Sequence, residues 1–482
     1  MAAQTRTVSN PFAELRRLAE RYPSAFAIVL VVFAVGFLAV INRSMVLFPL
    51  WSSIAFPLLA VSPFIIIGLK MPVWLKITLA GLVMLIVIPL LGMNDSFYIE
   101  LAVQIGIYGA MAIGLNIVIG FAGLLDLGYI AFFAFGAYLW AIFASRSGET
   151  IVAQSNALAS PELFYLFIFG GVLLAALFGI LLGLPVMRLK GDYLAIVTLG
   201  FGEMIRILAN NLSNISSDPA HTINITNGSQ GLSGIASPPL PAALFSGIAS
   251  LGKLLGSNIA NPQSYTYQLF FYILVLVVAG LAVIITARVD NSPIGRAWTA
   301  IREDEIAARA MGVPLVRMKL TAFAMGASFA GAMGVIFAAK QTFVSPESFS
   351  FNQSIFIIVI VIVGGMGSIR GVLVGAVAVT LLNIEILPNM SLLLNSFKSS
   401  SQVAGWIQSI FKAWPAQLEP AKYQRLVFGF LIILMMIFRP AGIIPEQRRK
   451  LELEKATLEN EPPPIEEGEP EIESSSNLPT AD

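Results

Sequence analysis

The chain has 482 residues, of which 57% are hydrophobic and only 12% charged, with a formal net charge of +1. A soluble chain of this length carries about a quarter charged residues, so the composition excludes an ordinary globular enzyme. The near-neutral charge excludes any global attraction to nucleic acid, and the absence of cysteine excludes disulfides and thiolate chemistry.

The apolar residues come in long runs, and about twenty such residues match the hydrocarbon core of a bilayer. The first run, about 25–40, follows Arg16, Arg17 and Arg21 and reads as a membrane anchor rather than a cleaved leader. Further runs at 46–69, 77–93, 98–118, 120–144, 162–186, 192–209, 268–287, 320–339, 353–368, 371–387 and 424–438 predict an all-α, polytopic helical bundle with ten to twelve crossings. With the N-terminal segment 1–23 in the cytoplasm, Lys70, Lys76, Arg188, Lys190 and the stretch Arg288–Lys319 fall on the cytoplasmic side. The loop 210–266, nearly free of lysine and arginine, falls on the periplasmic side. Arg146, Lys398, Lys412 and Lys422 run against this parity. The membrane-spanning apolar region extends over 24–445. The tail 446–482 is acidic, rich in proline and free of aromatic residues, which predicts disorder and a cytoplasmic C-terminus.

Several polar residues and glycines interrupt the apolar runs. Gln104 and Asn116 fit either a solute pathway or hydrogen bonds between helices. Gly120, Gly123, Gly128 and Gly136 permit close helix packing, and Asp126 among them either faces a pathway or caps a broken helix. Glu203 can pair with Arg206 one helical turn on, or it too can face a pathway. Gly367, Gly371 and Gly375 recur every four residues, a spacing that strips one helix face for packing. GGMGSIRG lacks the lysine of a phosphate-binding loop, so no nucleotide cofactor is expected in this chain. No paired histidines, nucleophile elbow or metal-ligand spacing is present, and the single histidine, His221, lies in a polar loop.

One stretch stands apart. GRAWTAIREDEIAARAMGV, residues 295–313, carries six charges between two apolar runs. Asn291-Ser292-Pro293 reads as a helix start and Gly312, followed by Pro314, as its end. The pattern predicts one short amphipathic helix over 293–312, with Trp298, Ile301, Ala308 and Met311 as its apolar stripe. A stripe flanked by both signs of charge suits a groove in a protein better than an anionic lipid surface.

In chain order, GLLDLGYIAFFAFGAYLWA, RLKGDYLAIVTLGFGEMIRI, NSPIGRAWTAIREDEIAARAMGV, QTFVSPESFSF, GGMGSIRG and RPAGIIP resemble the LivM-type permeases of branched-chain amino acid ABC importers. The resemblance covers about 97–442, with 240–266 and 388–422 matching less clearly. It implies a multi-pass plasma-membrane transporter subunit, not itself an enzyme, that passes branched-chain or other neutral amino acids by alternating access. It further implies a related second permease, two ATP-binding subunits that hold the ATP, and a periplasmic solute-binding protein. The loop 289–318 would be the cytoplasmic coupling loop, with Arg302, Glu303, Asp304, Glu305, Ala307, Ala308 and Gly312 at the ATPase. The family pattern places glutamate directly before two alanines, whereas here Ile306 precedes Ala307 and Ala308 and Glu305 stands one place earlier. Two other readings remain: a urea or short-chain amide permease of the same superfamily, and an ion-coupled secondary transporter using Asp126 and Glu203.

Overall fold

The computed structural model describes residues 48–68, 72–145, 160–186, 189, 192–213, 224–254, 261–399 and 420–445. The expected anchor at 25–40 and the acidic tail 446–482 lie outside them. Among the described residues, eight helices are long and apolar enough to cross a membrane, and three shorter apolar helices accompany them. The chain is a multi-pass helical membrane protein.

In chain order the helices are α1 (Phe48–Gly68), α2 (Val73–Met93), α3 (Ser96–Phe121), α4 (Ile130–Ala144), α5 (Phe164–Val186) and α6 (Asp192–Asn211). Then come α7 (Ala242–Leu254), α8 (Pro262–Asp290) and two short helices, α9 (Pro293–Glu303) and α10 (Glu305–Ala310). The rest are α11 (Leu315–Gln341), α12 (Phe351–Gly364), α13 (Ile369–Leu381), α14 (Leu387–Ser399) and α15 (Gln424–Phe438). A two-residue antiparallel ladder pairs β1 (Leu232–Ser233) with β2 (Phe343–Val344), Leu232 opposite Val344. The expected loop 210–266 therefore contains both a strand and α7.

Helix α11 is the axis of the bundle, packed against α3, α4 and α5. Its small residues allow this. A Cβ on Gly331 would lie 2.2 Å from the Gly171 carbonyl of α5, and one on Gly136 of α4 would lie 2.0 Å from the Gly331 carbonyl. In an apolar solvent, helices gain little from the hydrophobic effect, so backbones brought this close by small residues supply the contact instead. The outer helices α5 and α8 turn Leu166, Leu173, Leu177, Val277, Leu281 and Ile284 outward, as a lipid-facing surface requires.

Contacts separate the two ends of the bundle. At one end Arg302 reaches Gly120, and Ile443 N and Ile444 N donate to the Val363 and Gly364 carbonyls. At the other, the β1–β2 ladder, Trp140 Nε1 to the Ala236 carbonyl, and the ion pair of Lys340 with Glu100 (3.0 Å) gather together.

Two expected spans are corrected. The stretch 120–144 is not one helix: α3 loosens into a π-turn at Ile117–Phe121, residues 122–129 are non-helical, and α4 starts only at Ile130. Gly123, at φ +69°, takes the left-handed conformation that ends the turn. The stretch 353–368 ends as helix at Gly364. Gly365 (φ +118°) and Gly367 (φ +84°) form a turn, and Ser368 Oγ accepts from Gly371 N to start α13. Gly367 is thus a turn residue and not part of the helix face that Gly371 and Gly375 strip. Those two do pack, their Cβ positions lying 2.4 Å from the Gly364 and Ile360 carbonyls of α12.

Candidate functional site

The charged stretch folds as two helices, not one. Ser292 Oγ accepts from Ile294 N (3.1 Å) and Gly295 N (3.5 Å), the expected start. Asp304 then adopts an extended backbone, φ −151° and ψ 112°, and breaks the helix. Its Oδ1 accepts from Ile306 N (2.7 Å) and Ala307 N (3.0 Å), so the residue caps α10. Gly312, at φ +84°, ends α10 as the sequence indicates.

The stripe is mostly buried. Trp298 is 1% exposed and donates from Nε1 to the Met318 carbonyl at 2.7 Å, while Ile301 and Ala308 pack with Leu315. Met311 does not belong to it. It is 85% exposed and lies past the end of α10, at the C-cap, where the stripe has stopped. Ile306 is 75% exposed. Glu303, Asp304, Ala307 and Arg309 are exposed as well.

Three residues expected at the ATPase contact turn inward: Ala308, buried beside Ile301 and Leu315, and the charged residues Glu305 and Arg302. Glu305 lies 2.9 Å from Lys319 Nζ, whose side chain is 5% exposed, and 3.7 Å from Arg309. A buried ammonium is tolerated only with a carboxylate partner, which Glu305 supplies. Arg302 donates from Nη1 to the Gly120 carbonyl, in the π-turn of α3. Its aliphatic stem lies against Gly123, where a Cβ would come within 2.8 Å of Arg302 Cγ. Between residues 122–125 and 301–306 lies a cleft of about 470 Å³ that Lys319 also lines.

Asp126 sits deeper on the same broken segment, fully buried. Its Oδ1 accepts from Gly128 N at 2.9 Å. Neighbouring helices satisfy much of the rest. Thr198 Oγ1 of α6 accepts from Leu127 N (3.0 Å), Ser354 Oγ of α12 accepts from Ile130 N (3.2 Å), and Tyr129 OH donates to the Gly326 carbonyl of α11 (2.8 Å). Non-helical backbone at membrane depth survives only when enclosed in this way. Gly128 lets α6 approach, since a Cβ there would meet the Thr198 carbonyl at 1.9 Å. Asp126 thus braces the non-helical segment through Gly128 and does not cap α4, whose first turn has no side-chain cap; its Oδ2 has no hydrogen-bond partner.

Asn116 binds the turn between α12 and α13, its Oδ1 accepting from Gly367 N at 2.8 Å. A Cβ on Gly120 would lie 2.5 Å from Gly367 N. Asn116, Gly120, Gly123, Gly367 and Arg302 thus converge at one end of the bundle. Glu203 stands apart. Arg206 Nε lies 2.8 Å from it, and Arg206 Nη1 lies 2.9 Å from Glu347. Glu203 is therefore held as a structural pair. Gln104 belongs to a separate cavity described below. Sequence reasoning missed Lys319, Thr198, Ser354 and Glu347. Lys319, a cation opening an apolar run, was the one with a visible signal.

Residues 97–436 match the family model for the permease component of branched-chain amino acid transport systems. The chain belongs to this permease family. The LivM high-affinity branched-chain amino acid transport permease of Escherichia coli K12 is 36% identical over 368 residues, 75% of this chain and 73% of the relative. The probable LivM permease of Methanocaldococcus jannaschii is 24% identical over 71% of this chain and 91% of its own. BraD of Pseudomonas aeruginosa, of the same transport class, is 25% identical over 38% of this chain and 48% of its own. No solved structure matches. The match runs from α3 into α15, so the broken segment, the charged loop and the Gly365–Gly367 turn of this permease all lie within the family region.

Proposed function

We propose that this permease is the membrane subunit of an ATP-driven importer for branched-chain or other neutral amino acids, coupled to separate ATPase subunits through residues 293–312. The observation that carries the reading is the exposed surface of α9 and α10. Ile306 and Met311 are exposed, as are Glu303, Asp304 and Arg309 of the same short loop, while Trp298 anchors the loop beneath. An apolar pair that leaves water only when a partner covers it, accompanied by charges of both signs, is the chemistry of a protein groove. Family membership supports the same reading.

In this proposal the charged loop and both termini face the cytoplasm, a second related permease completes the solute path, and a periplasmic binding protein delivers the amino acid. ATP is bound and hydrolysed by the partner subunits. Their closure draws the coupling loops together and re-exposes the path by rigid-body motion. Within the loop, Glu303, Ile306, Ala307, Arg309 and Met311 make the contact. Arg302 and Glu305 instead fasten the loop to the bundle, and Asp304 and Gly312 shape it.

The test compares Ile306→Ala/Met311→Ala with Trp298→Ala in native membranes. The exposed pair of substitutions should cut both the co-purified ATPase and leucine uptake at least tenfold while leaving insertion and thermal stability unchanged. Undiminished ATPase capture by the Ile306/Met311 variant would sink the assignment. Trp298→Ala should lower stability as well.

A further inference from the structure

A second cavity, of about 220 Å³, lies among α3, α4, α11 and the start of α12. It is smaller than the ~300–1,000 Å³ of pockets for drug-sized ligands, which points to a small solute. Its apolar wall is Ile107, Ile130, Phe133 and Phe337. Its polar lining is neutral: Gln104, Gln341, Ser348 and Gln353. Gln104 Oε1 is buried there without a hydrogen-bond partner, a costly state that a ligand donor would relieve. The cavity lies toward the ladder end, since Gln341 closes α11 and Ser348 precedes α12. A larger cavity of about 410 Å³ shares Gln353 with it and adds Asn352, Asn383, Gln424 and Arg425. The rings of Tyr108, on the smaller cavity, and Phe356, on the larger, meet edge to face at 4.9 Å between the two.

We propose that the smaller cavity, with a wall of isoleucine and phenylalanine side chains and an unmatched amide oxygen, is a substrate subsite that takes the branched side chain of the transported amino acid, with Gln104 accepting from its ammonium group. The assignment rests on the transport reading above and names where the solute binds. The larger cavity, which Arg425 lines, serves as its antechamber, and the Tyr108–Phe356 pair is the partition a solute passes. No charged side chain lines the subsite, so a zwitterion meets only neutral dipoles there and is not trapped by a fixed charge. The wall sets the preference, because a hydrophobic pocket discriminates by the volume of side chain it accommodates.

The test uses the full complex with its binding protein in proteoliposomes, supplied with radiolabelled leucine, valine and phenylalanine. Phe337→Ala widens the wall and should raise the phenylalanine-to-leucine uptake ratio about tenfold. Phe337→Leu, a milder change, should move it in the same direction by a smaller factor. Gln104→Leu removes the amide and should raise KM for leucine about tenfold, with binding-protein affinity and ATPase capture unchanged. Normal leucine uptake by the wild type, with the two Phe337 variants keeping its uptake ratio and Gln104→Leu keeping its KM, would overturn the subsite and leave the transport reading standing. A wild-type complex that imports none of the three amino acids would remove the transport reading and the subsite together.

Discussion

Lys319 is 5% exposed and depends on Glu305 at 2.9 Å. Deleting one partner of a buried pair leaves the other charge uncompensated, at a cost of about 3–5 kcal/mol, whereas replacing both with apolar groups is close to neutral. Glu305→Ala should therefore destabilise the protein by about 3 kcal/mol, and adding Lys319→Met should recover most of that loss; thermal unfolding in detergent measures both. A double variant no more stable than Glu305→Ala alone would show that the pair is not what holds Glu305 inward. At this scale the sequence was half legible. The Glu203–Arg206 pair follows from a spacing of three on a helix. The Arg302–Gly120 contact joins residues 182 positions apart, and no local pattern signals it.

At the scale of elements, the start at Ser292 and the stop at Gly312 were readable because each needs a particular residue type at one position. The break at Asp304 was not. An aspartate amid Arg302, Glu303 and Glu305 reads as one more surface charge of a continuous helix, although its short side chain can also cap a new one. Asp304→Ala should cost α10 about 1 kcal/mol of local stability. Hydrogen exchange at the 306–310 amides should then quicken about fivefold, with α9 unaffected; unchanged exchange would mean that packing, not the cap, sets the break. The glycine repeat at 367, 371 and 375 misled for a related reason. A period of four shows which residues share a helix face only if the helix has already begun. Here Gly365 and Gly367 have positive φ, and Ser368 starts α13.

At the scale of the whole molecule, hydropathy located the eight long apolar helices among the described residues because each must supply a long apolar run; the runs 46–69, 120–144 and 424–438 give shorter apolar helices, and the break at 120–129 went unseen. Residues 120–130 are as apolar as their neighbours, so composition conceals that Leu127 N and Ile130 N donate to Thr198 and Ser354 on other helices. The proposed orientation is open to direct test. The chain has no cysteine, so a single introduced thiol reports without background. Met311→Cys should react with an impermeant maleimide only from the cytoplasmic side, and Ser233→Cys, on the exposed face of the ladder, only from outside. The reverse pattern would invert the topology.

The bond between Arg302 and the Gly120 carbonyl has a mechanical consequence. The π-turn leaves that carbonyl to be met by the guanidinium, in surroundings where losing a charged partner is expensive. The charged loop and the end of α3 therefore act as a single lever arm, with Trp298 as the bolt near its fulcrum. In the proposed importer, a push at Met311 would reach Gly120 through Arg302 and run along the backbone towards Asp126 and the first turn of α4, without requiring the outer helices α5 and α8 to bend.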